Sequence, residues 1–293
     1  MTSLRGVLVA TAVPFRDDLS LDLDGYAEHV RWLADNGCHG VCPNGSLGEY
    51  IALTEKERAD VVRTAKAAAP KGFLVVPGVG AASAYESRRW AEQAAEAGAD
   101  GVLALPPNTY RADDRETIAH FEQVCAVGLP VIAYNNPHDT KVDLTPPLLA
   151  ELARFDNLVG VKEFTGDVRR VHEIAERAPR LEVFAGADDV VLESLLMGAV
   201  GWVAGFPNAF PAESVRLYDL AMAGKLDDAL PLYRALLPAF RWDSRTEFVQ
   251  AIKIGMDMVG RRGGPVRLPR LALEAEIAKQ VRADMEQAIA ACS

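Results

Sequence analysis

Of the eight lysines in this 293-residue chain, Lys162 alone falls inside an apolar strand-like run, Leu158-Val159-Gly160-Val161-Lys162-Glu163-Phe164. Desolvation in such a run lowers a lysine pKa, and a neutral amine is the nucleophile that forms a Schiff base with a carbonyl. Taken singly, the residue reads equally as a structural lysine paired with Glu163 or a neighbouring strand. A second run ends Ile132-Ala133-Tyr134-Asn135-Asn136-Pro137. Tyr134 there would shuttle protons to a carbinolamine and the adjacent carbon, or else pack in the core with its hydroxyl satisfied. A third run leads into Asn44-Gly45-Ser46-Leu47-Gly48-Glu49. Its glycines let backbone N–H groups converge on a carboxylate, and Ser46 adds a hydroxyl donor.

These groups need a scaffold that brings several strand ends to one place. Eight runs rich in Val, Ile and Leu qualify: Gly6–Phe15, Gly40–Pro43, Phe73–Val79, Gly101–Leu105, Pro130–Tyr134, Leu158–Phe164, Leu181–Ala185 and Gly201–Ala204. Their lack of polar alternation predicts strands covered on both faces, as in a parallel sheet. Helical spacing fills the intervals, as in Ser83–Ala97, and Thr54 reads as a helix N-cap. The connectors Asn36–Val41, Ala97–Val102 and Met197–Trp202 repeat one pattern of Gly, two residues, Gly, then strand. Eight βα units up to about Gly224 predict an α/β fold, a (β/α)8 TIM barrel, with catalytic groups at the C-terminal strand ends. A doubly wound sheet would carry a glycine fingerprint after its first strand, and Ala10-Thr11-Ala12-Val13-Pro14 has none. We expect residues 1–224 to form the barrel and residues 225–293 a helical extension packed on it, with helices over Lys225–Phe240, Ser244–Val259 and Leu271–Ala291.

Forty-one acidic against 31 basic residues give a formal charge of −10. That surface disfavours phosphate backbones and anionic lipid, so neither nucleic acid nor a membrane is expected as partner. No apolar run approaches the roughly 20 residues that span a bilayer. Met1–Ala10 does not read as a signal peptide, and four cysteines make no disulfide framework, so a cytoplasmic location is expected.

Taken together, Gly45-Ser46-Leu47-Gly48-Glu49, Tyr134-Asn135-x-Pro137 and Val161-Lys162-Glu163 resemble the dihydrodipicolinate synthase/N-acetylneuraminate lyase family, and the resemblance covers nearly the whole chain. It implies a (β/α)8 barrel with C-terminal helices. By position, Lys162 would form the Schiff base with a 2-oxo acid, and Tyr134 would be the proton donor and acceptor. Ser46 and Leu47 would hold the carboxylate, and Val203 would offer a backbone carbonyl near the site. No metal or organic cofactor is implied beyond the covalent imine on Lys162, and a homo-oligomer (dimer or tetramer) is expected.

Two departures bear on substrate. The synthases carry an Arg two positions past the Pro of the Tyr-Asn-x-Pro motif; here that position is Asp139, preceded by His138. They also place a second tyrosine after the strand-four Pro; here Pro106 is followed by Pro107-Asn108-Thr109, with Tyr110 displaced. Leu105–Phe121 and Gly201–Pro211 instead resemble the Δ1-pyrroline-4-hydroxy-2-carboxylate deaminases. This branch implies attack of Lys162 on C2 of a cyclic imine, loss of the 4-hydroxyl, and hydrolysis to 2-oxoglutarate semialdehyde and ammonia. The alternatives are a pyruvate-dependent aldolase or dehydratase of a sugar-derived 2-oxo acid, a 4-hydroxy-tetrahydrodipicolinate synthase, and a non-catalytic 2-oxo-acid binder.

Other motifs carry less. Cys38-His39-x2-Cys42 lacks the further ligands of a metal site and reads as packed thiols in a connector. Gly78-Val79-Gly80 lacks the third glycine of a dinucleotide loop. His172-Glu173 has no second histidine one turn on. Arg261-Arg262 reads as a solvated pair, and Lys253 as a helical lysine snorkelling from one face.

Overall fold

The computed structural model of the chain describes residues 4–292; Met1–Ser3, which open the Met1–Ala10 stretch, lie outside the described residues. The eight apolar runs become strands β1 (Gly6–Ala10), β2 (Gly40–Cys42), β3 (Leu74–Val75), β4 (Val102–Ala104), β5 (Val131–Asn135), β6 (Leu158–Glu163), β7 (Glu182–Ala185) and β8 (Gly201–Ala204). They pair in parallel in the order β3-β2-β1-β8-β7-β6-β5-β4. The two ends of that order meet through a bridge between Gly78 and Leu103, where the Val79 N–H donates to the Leu103 carbonyl and the Leu103 N–H to that of Pro77, each at 2.9 Å. The ring is thereby closed, and the fold is the (β/α)8 barrel the alternating runs predict.

Side chains along a strand alternate between two faces, and both are apolar here. Leu8, Cys42, Leu103, Ile132, Phe184 and Val203 fill the barrel interior together with Tyr134. Their neighbours Val7, Val41, Val102, Val131, Val161 and Trp202 lie in the layer shared with the helices. The runs therefore lack a polar face because neither face meets water.

Two strands, β1 and β3, end several residues earlier than the runs suggest. After Ala10 the chain leaves the sheet: the Ala12 N–H donates to Asn208 Oδ1 (3.2 Å), and Pro14 has no N–H for a ladder. Beyond Val75 the chain still bonds to its neighbour, the Gly78 N–H donating to the Pro43 carbonyl at 2.7 Å, but without a strand's geometry. A Cβ on Gly78 would run into the Asn44 carbonyl, so glycine is what lets these two loops approach.

The helices are α1 (Leu23–Asp35), α2 (Glu55–Ala68), α3 (Ala84–Glu96), α4 (Asp114–Cys125), α5 (Pro137–Thr140), α6 (Pro146–Leu152), α7 (Arg169–Arg177), α8 (Val191–Leu196), α9 (Pro211–Met222), α10 (Leu226–Phe240), α11 (Phe248–Met258) and α12 (Ala275–Cys292). Thr54 caps α2 in a reciprocal box with Glu57, and Ser83 caps α3. In the tail, α11 and α12 each start four residues later than expected. The Phe240 ring closes on Trp202 (5.6 Å) and Phe206 (5.8 Å), anchoring α10 to the end of β8. The connector after α10 is thereby directed to the barrel mouth.

Candidate active site

A cavity of about 240 Å3 opens at the C-terminal strand ends, lined by Ser46 and Leu47 beyond β2, Tyr134 on β5, Lys162 on β6 and Gly205 beyond β8. A second cavity of about 270 Å3 continues it and shares Ser46, Asn136, Asp139 and Arg270. Four of the five residues singled out from sequence thus line one space. Val203 does not: it is wholly buried in the barrel interior, and Gly205 lines the cavity beyond β8.

Tyr134 and Lys162 are direct partners in the β5–β6 register, so their side chains enter the barrel together. The Lys162 Nζ lies 4.3 Å from the Tyr134 ring centroid and 5.3 Å from that of Phe164. Glu163 is not its partner. That carboxylate points to the opposite face of β6, where it accepts from Asn135 Nδ2 (3.0 Å) and the Thr165 N–H (2.7 Å). Among the described residues Lys162 makes no ion pair. Burial pushes its pKa down, while the carboxylates of Asp243 and Asp188 hold it up. Burial pushes the Tyr134 phenol strongly up, so it keeps its proton, with Asn136 Nδ2 donating to its oxygen at 3.4 Å.

The Ser46 turn is held from behind. Asn44 and Glu49 adopt positive φ (58° and 49°), and Asn44 Nδ2 donates to the Arg58 carbonyl at 2.9 Å. The Arg58 guanidinium sits over Trp90 (4.0 Å) and donates to the carbonyls of Gly78 and Gly80. Glu49 then reaches into the tail. Its Oε1 lies 2.7 Å from Lys253 Nζ, and its Oε2 accepts from the Arg267 N–H at 3.0 Å. Lys253 therefore does not snorkel as its helical spacing suggests: it is 2% exposed, donates to the Pro265 carbonyl (2.7 Å) and faces the Phe15 ring. Helical spacing shows which face a residue lies on, but here the 263–270 segment covers that face.

Sequence reasoning missed four groups. Asp188 is wholly buried beyond β7 and accepts from Trp202 Nε1 (2.8 Å), the Gly205 N–H (3.1 Å) and the Phe206 N–H (2.7 Å). Burial and the Asp243 charge push its pKa up, with the Phe206 N–H and Trp202 pulling against them. Asp243, from the connector between α10 and α11, also lines the cavity, and burial raises its pKa to about 6 against the pull of Lys162. Arg245 and Arg270 complete that side. Asp188 follows a strand end and was open to the rule that located Lys162; the other three reach the site only through tail packing. No three His, Cys, Asp or Glu side chains gather as a metal site would require among the described residues. The imidazole of His39 instead accepts the Val7 N–H at Nδ1 (3.1 Å).

The model of the dihydrodipicolinate synthetase family matches residues 3–288. The chain belongs to that family. It is 34% identical over 276 residues to a 4-hydroxy-tetrahydrodipicolinate synthase of Methanosphaerula palustris, covering 93% of this chain and 95% of the relative. The structure of the 4-hydroxy-tetrahydrodipicolinate synthase of Methylacidiphilum fumariolicum superposes with a TM-score of 0.94 at 27% identity, covering 99% of this chain and 97% of that one. YagE, a prophage protein of E. coli K12 solved in complex with pyruvate, superposes with a TM-score of 0.92 at 28% identity, covering 98% and 99%. This member of the dihydrodipicolinate synthetase family is accordingly an enzyme of the lyase class. No helix among the described residues is long and apolar enough to cross a membrane.

The two stretches that resemble the deaminase branch play different parts. In Leu105–Phe121, Asp113 and Glu116 form the capping box of α4, and His120 turns inward to the Leu105 carbonyl (3.0 Å). Tyr110 is exposed. In Gly201–Pro211, by contrast, Trp202 and the Gly205 and Phe206 amides grip Asp188 behind the cavity.

Proposed function

We propose that the protein is a class I Schiff-base lyase that acts on a small 2-oxo-acid-type substrate, and that the substrate is Δ1-pyrroline-4-hydroxy-2-carboxylate. The observation that carries the chemistry is Lys162, buried beside Tyr134 in the cavity at the strand ends and without an ion pair among the described residues. A neutral amine there attacks C2, the ring C–N bond opens, and the protonated imine serves as electron sink for loss of the 4-hydroxyl. Tyr134 handles the carbinolamine protons, and Ser46 and the Leu47 backbone hold the carboxylate. With one water consumed, the products are 2-oxoglutarate semialdehyde and ammonia, and no cofactor beyond the imine is needed. The branch assignment rests on resemblance and on Asp139 at the position where the synthases carry Arg. A negative charge there opposes a second carboxylate substrate. The names of the relatives favour 4-hydroxy-tetrahydrodipicolinate synthase as a second reading. Pyruvate bound to YagE supports a 2-oxo acid as ligand on either reading. A homo-oligomer, as dimer or tetramer, is the proposed working state.

Ammonia release from the hydroxypyrroline carboxylate, with Lys162→Ala as control, tests the assignment. Release that requires Lys162 supports it. No ammonia, with condensation of pyruvate and aspartate semialdehyde or aldol cleavage of a sugar acid instead, removes it.

A further inference from the structure

Elimination from a Lys162-bound imine needs a base for C3, and the barrel strands supply a poor one. Tyr134 keeps its proton because burial holds the phenol far above its usual range. Among the mouth carboxylates, Asp139 Oδ2 is engaged by Asn136 Nδ2 at 2.9 Å. Asp188 is spent on three N–H donors behind the cavity wall. Glu49, on the continuing cavity, is paired with Lys253 Nζ at 2.7 Å. Among the described lining residues the remaining carboxylate is Asp243, and it comes from outside the barrel.

Asp243 lines the same cavity as Lys162 and Tyr134 and is 7% exposed. Its charge is felt by both: it is the largest charge acting on Lys162 and on Tyr134. Among the described residues it has no ion pair, and its one N–H donor is the distant Asp188 amide, 3.3 Å from Oδ2. Oδ1 occupies space that a Cβ on Gly205 would need, at 2.6 Å, so the absence of a side chain there admits the carboxylate to the wall. The connector is braced. The Asp243 N–H donates to the Phe240 carbonyl (3.0 Å), Ser244 Oγ to Asp189 Oδ1 (2.8 Å), and Trp242 Nε1 to Asp284 on α12 (2.8 Å).

We propose that Asp243 is the acid/base of the elimination: its carboxylate takes the C3 proton from the Lys162-bound imine and delivers it to the departing C4 hydroxyl. The inference rests on the Schiff-base reading of Lys162. The C3–H bond breaks and its electron pair forms the C2=C3 enamine, neutralising the iminium nitrogen. The enamine pair then forms C3=C4 and restores the iminium as the C4–O bond breaks. The hydroxyl takes the proton from Asp243 and leaves as water, and the carboxylate is restored without any oxidant or reductant. A base at this place must be ionised, and its pKa of about 6 meets that need at neutral pH. The titratable groups that face it are Lys162 on β6, Tyr134 on β5, and Asp188 and Asp189 beyond β7; Lys162 pulls its pKa down and Asp189 pushes it up.

The test is exchange of the pyruvate methyl protons in D2O, followed by NMR, because it needs C3 deprotonation but not the physiological substrate. Asp243→Asn should lower exchange by about 10²–10⁴-fold while borohydride with pyruvate still labels Lys162. Wild-type exchange at saturating pyruvate should fall as pH drops through about 6, and the residual exchange of Asp243→Asn should lose that limb. Exchange by the variant within about threefold of wild type overturns the proposal. If the variant fails to label, the wild-type profile decides: no acid limb between about pH 5 and pH 8 overturns it equally. Lost exchange without wild-type ammonia release keeps Asp243 as the base at C3 and removes the substrate assignment together with the elimination drawn on it. An unlabelled wild-type Lys162 removes both.

Discussion

The Glu49–Lys253 pair makes the most quantitative prediction. Both side chains are 2% exposed, and Lys253→Met would remove the cation that lies 2.7 Å from the Glu49 carboxylate while keeping most of the side-chain volume. Breaking a buried pair from one side leaves an uncompensated charge and costs about 3–5 kcal/mol. At roughly 2.1 cal/mol/K per residue, unfolding 293 residues carries about 0.6 kcal/mol/K, so the melting temperature should fall by about 5–8 °C. The double variant Glu49→Gln/Lys253→Met should recover at least about 1 kcal/mol of that loss, because no charge is then stranded. Glu49 lies three residues past Ser46 and is also held by the Arg267 amide, so the single variants should raise KM more than they lower kcat. Thermal unfolding and steady-state kinetics of the four proteins form the assay. A single-variant loss below about 1 kcal/mol, or a double variant worse than the sum of the singles, would refute the reasoning.

Tyr134→Phe should lower kcat by about 10²–10³-fold, read by steady-state turnover, with Lys162 still trapped by borohydride. Arg270 is half-buried at the mouth with its Nη1 on the Thr246 carbonyl, and Arg270→Ala should raise KM for an anionic substrate about tenfold or more with little change in kcat. Trp202→Phe removes one of the N–H donors to buried Asp188 and should cost about 1–3 kcal/mol by urea unfolding. His29 and His120 are held neutral by burial, each with a pKa lowered to about 4. The unfolded chain takes up those protons near pH 6.5 and the folded one does not, so their contribution is complete above about pH 6.5 and is lost on acidification toward pH 4, by about 1.4 kcal/mol per unit per histidine. The urea midpoint should fall across that window, and His29→Gln should flatten the fall.

Lys162 stood out as a charge inside an apolar strand run, but neither it nor Tyr134 decides the site alone; the Ser46 turn, the Tyr134 motif and the Lys162 strand become legible only together, in their order and spacing. The barrel was legible for a similar reason: its strands are apolar on both faces, and the Gly-x-x-Gly connectors repeat. Asp243 and Arg270 were not legible. They sit in a helical tail where acidic and basic residues are ordinary, and it is tertiary packing, Phe240 on Trp202 and Trp242 on Asp284, that carries the connector to the cavity. Lys253 was misread because spacing shows a helix face but not that the 263–270 segment covers it. Val203 was expected to offer a backbone carbonyl near the site; its side chain packs in the barrel interior, and Gly205 is the residue beyond β8 that lines the cavity. The −10 charge asks for local attraction of an anionic substrate, and the cavity supplies Arg245, Arg270 and the Ser46 turn, to which the iminium formed on Lys162 would add.

The central claim is that Lys162 forms an imine with a 2-oxo acid. Borohydride reduction in the presence of pyruvate, followed by peptide mapping, tests it most directly. A reduced pyruvate adduct is expected on the peptide carrying Lys162, absent without pyruvate and absent in Lys162→Ala. An unmodified Lys162, or an adduct on another lysine while Lys162 stays free, would contradict it.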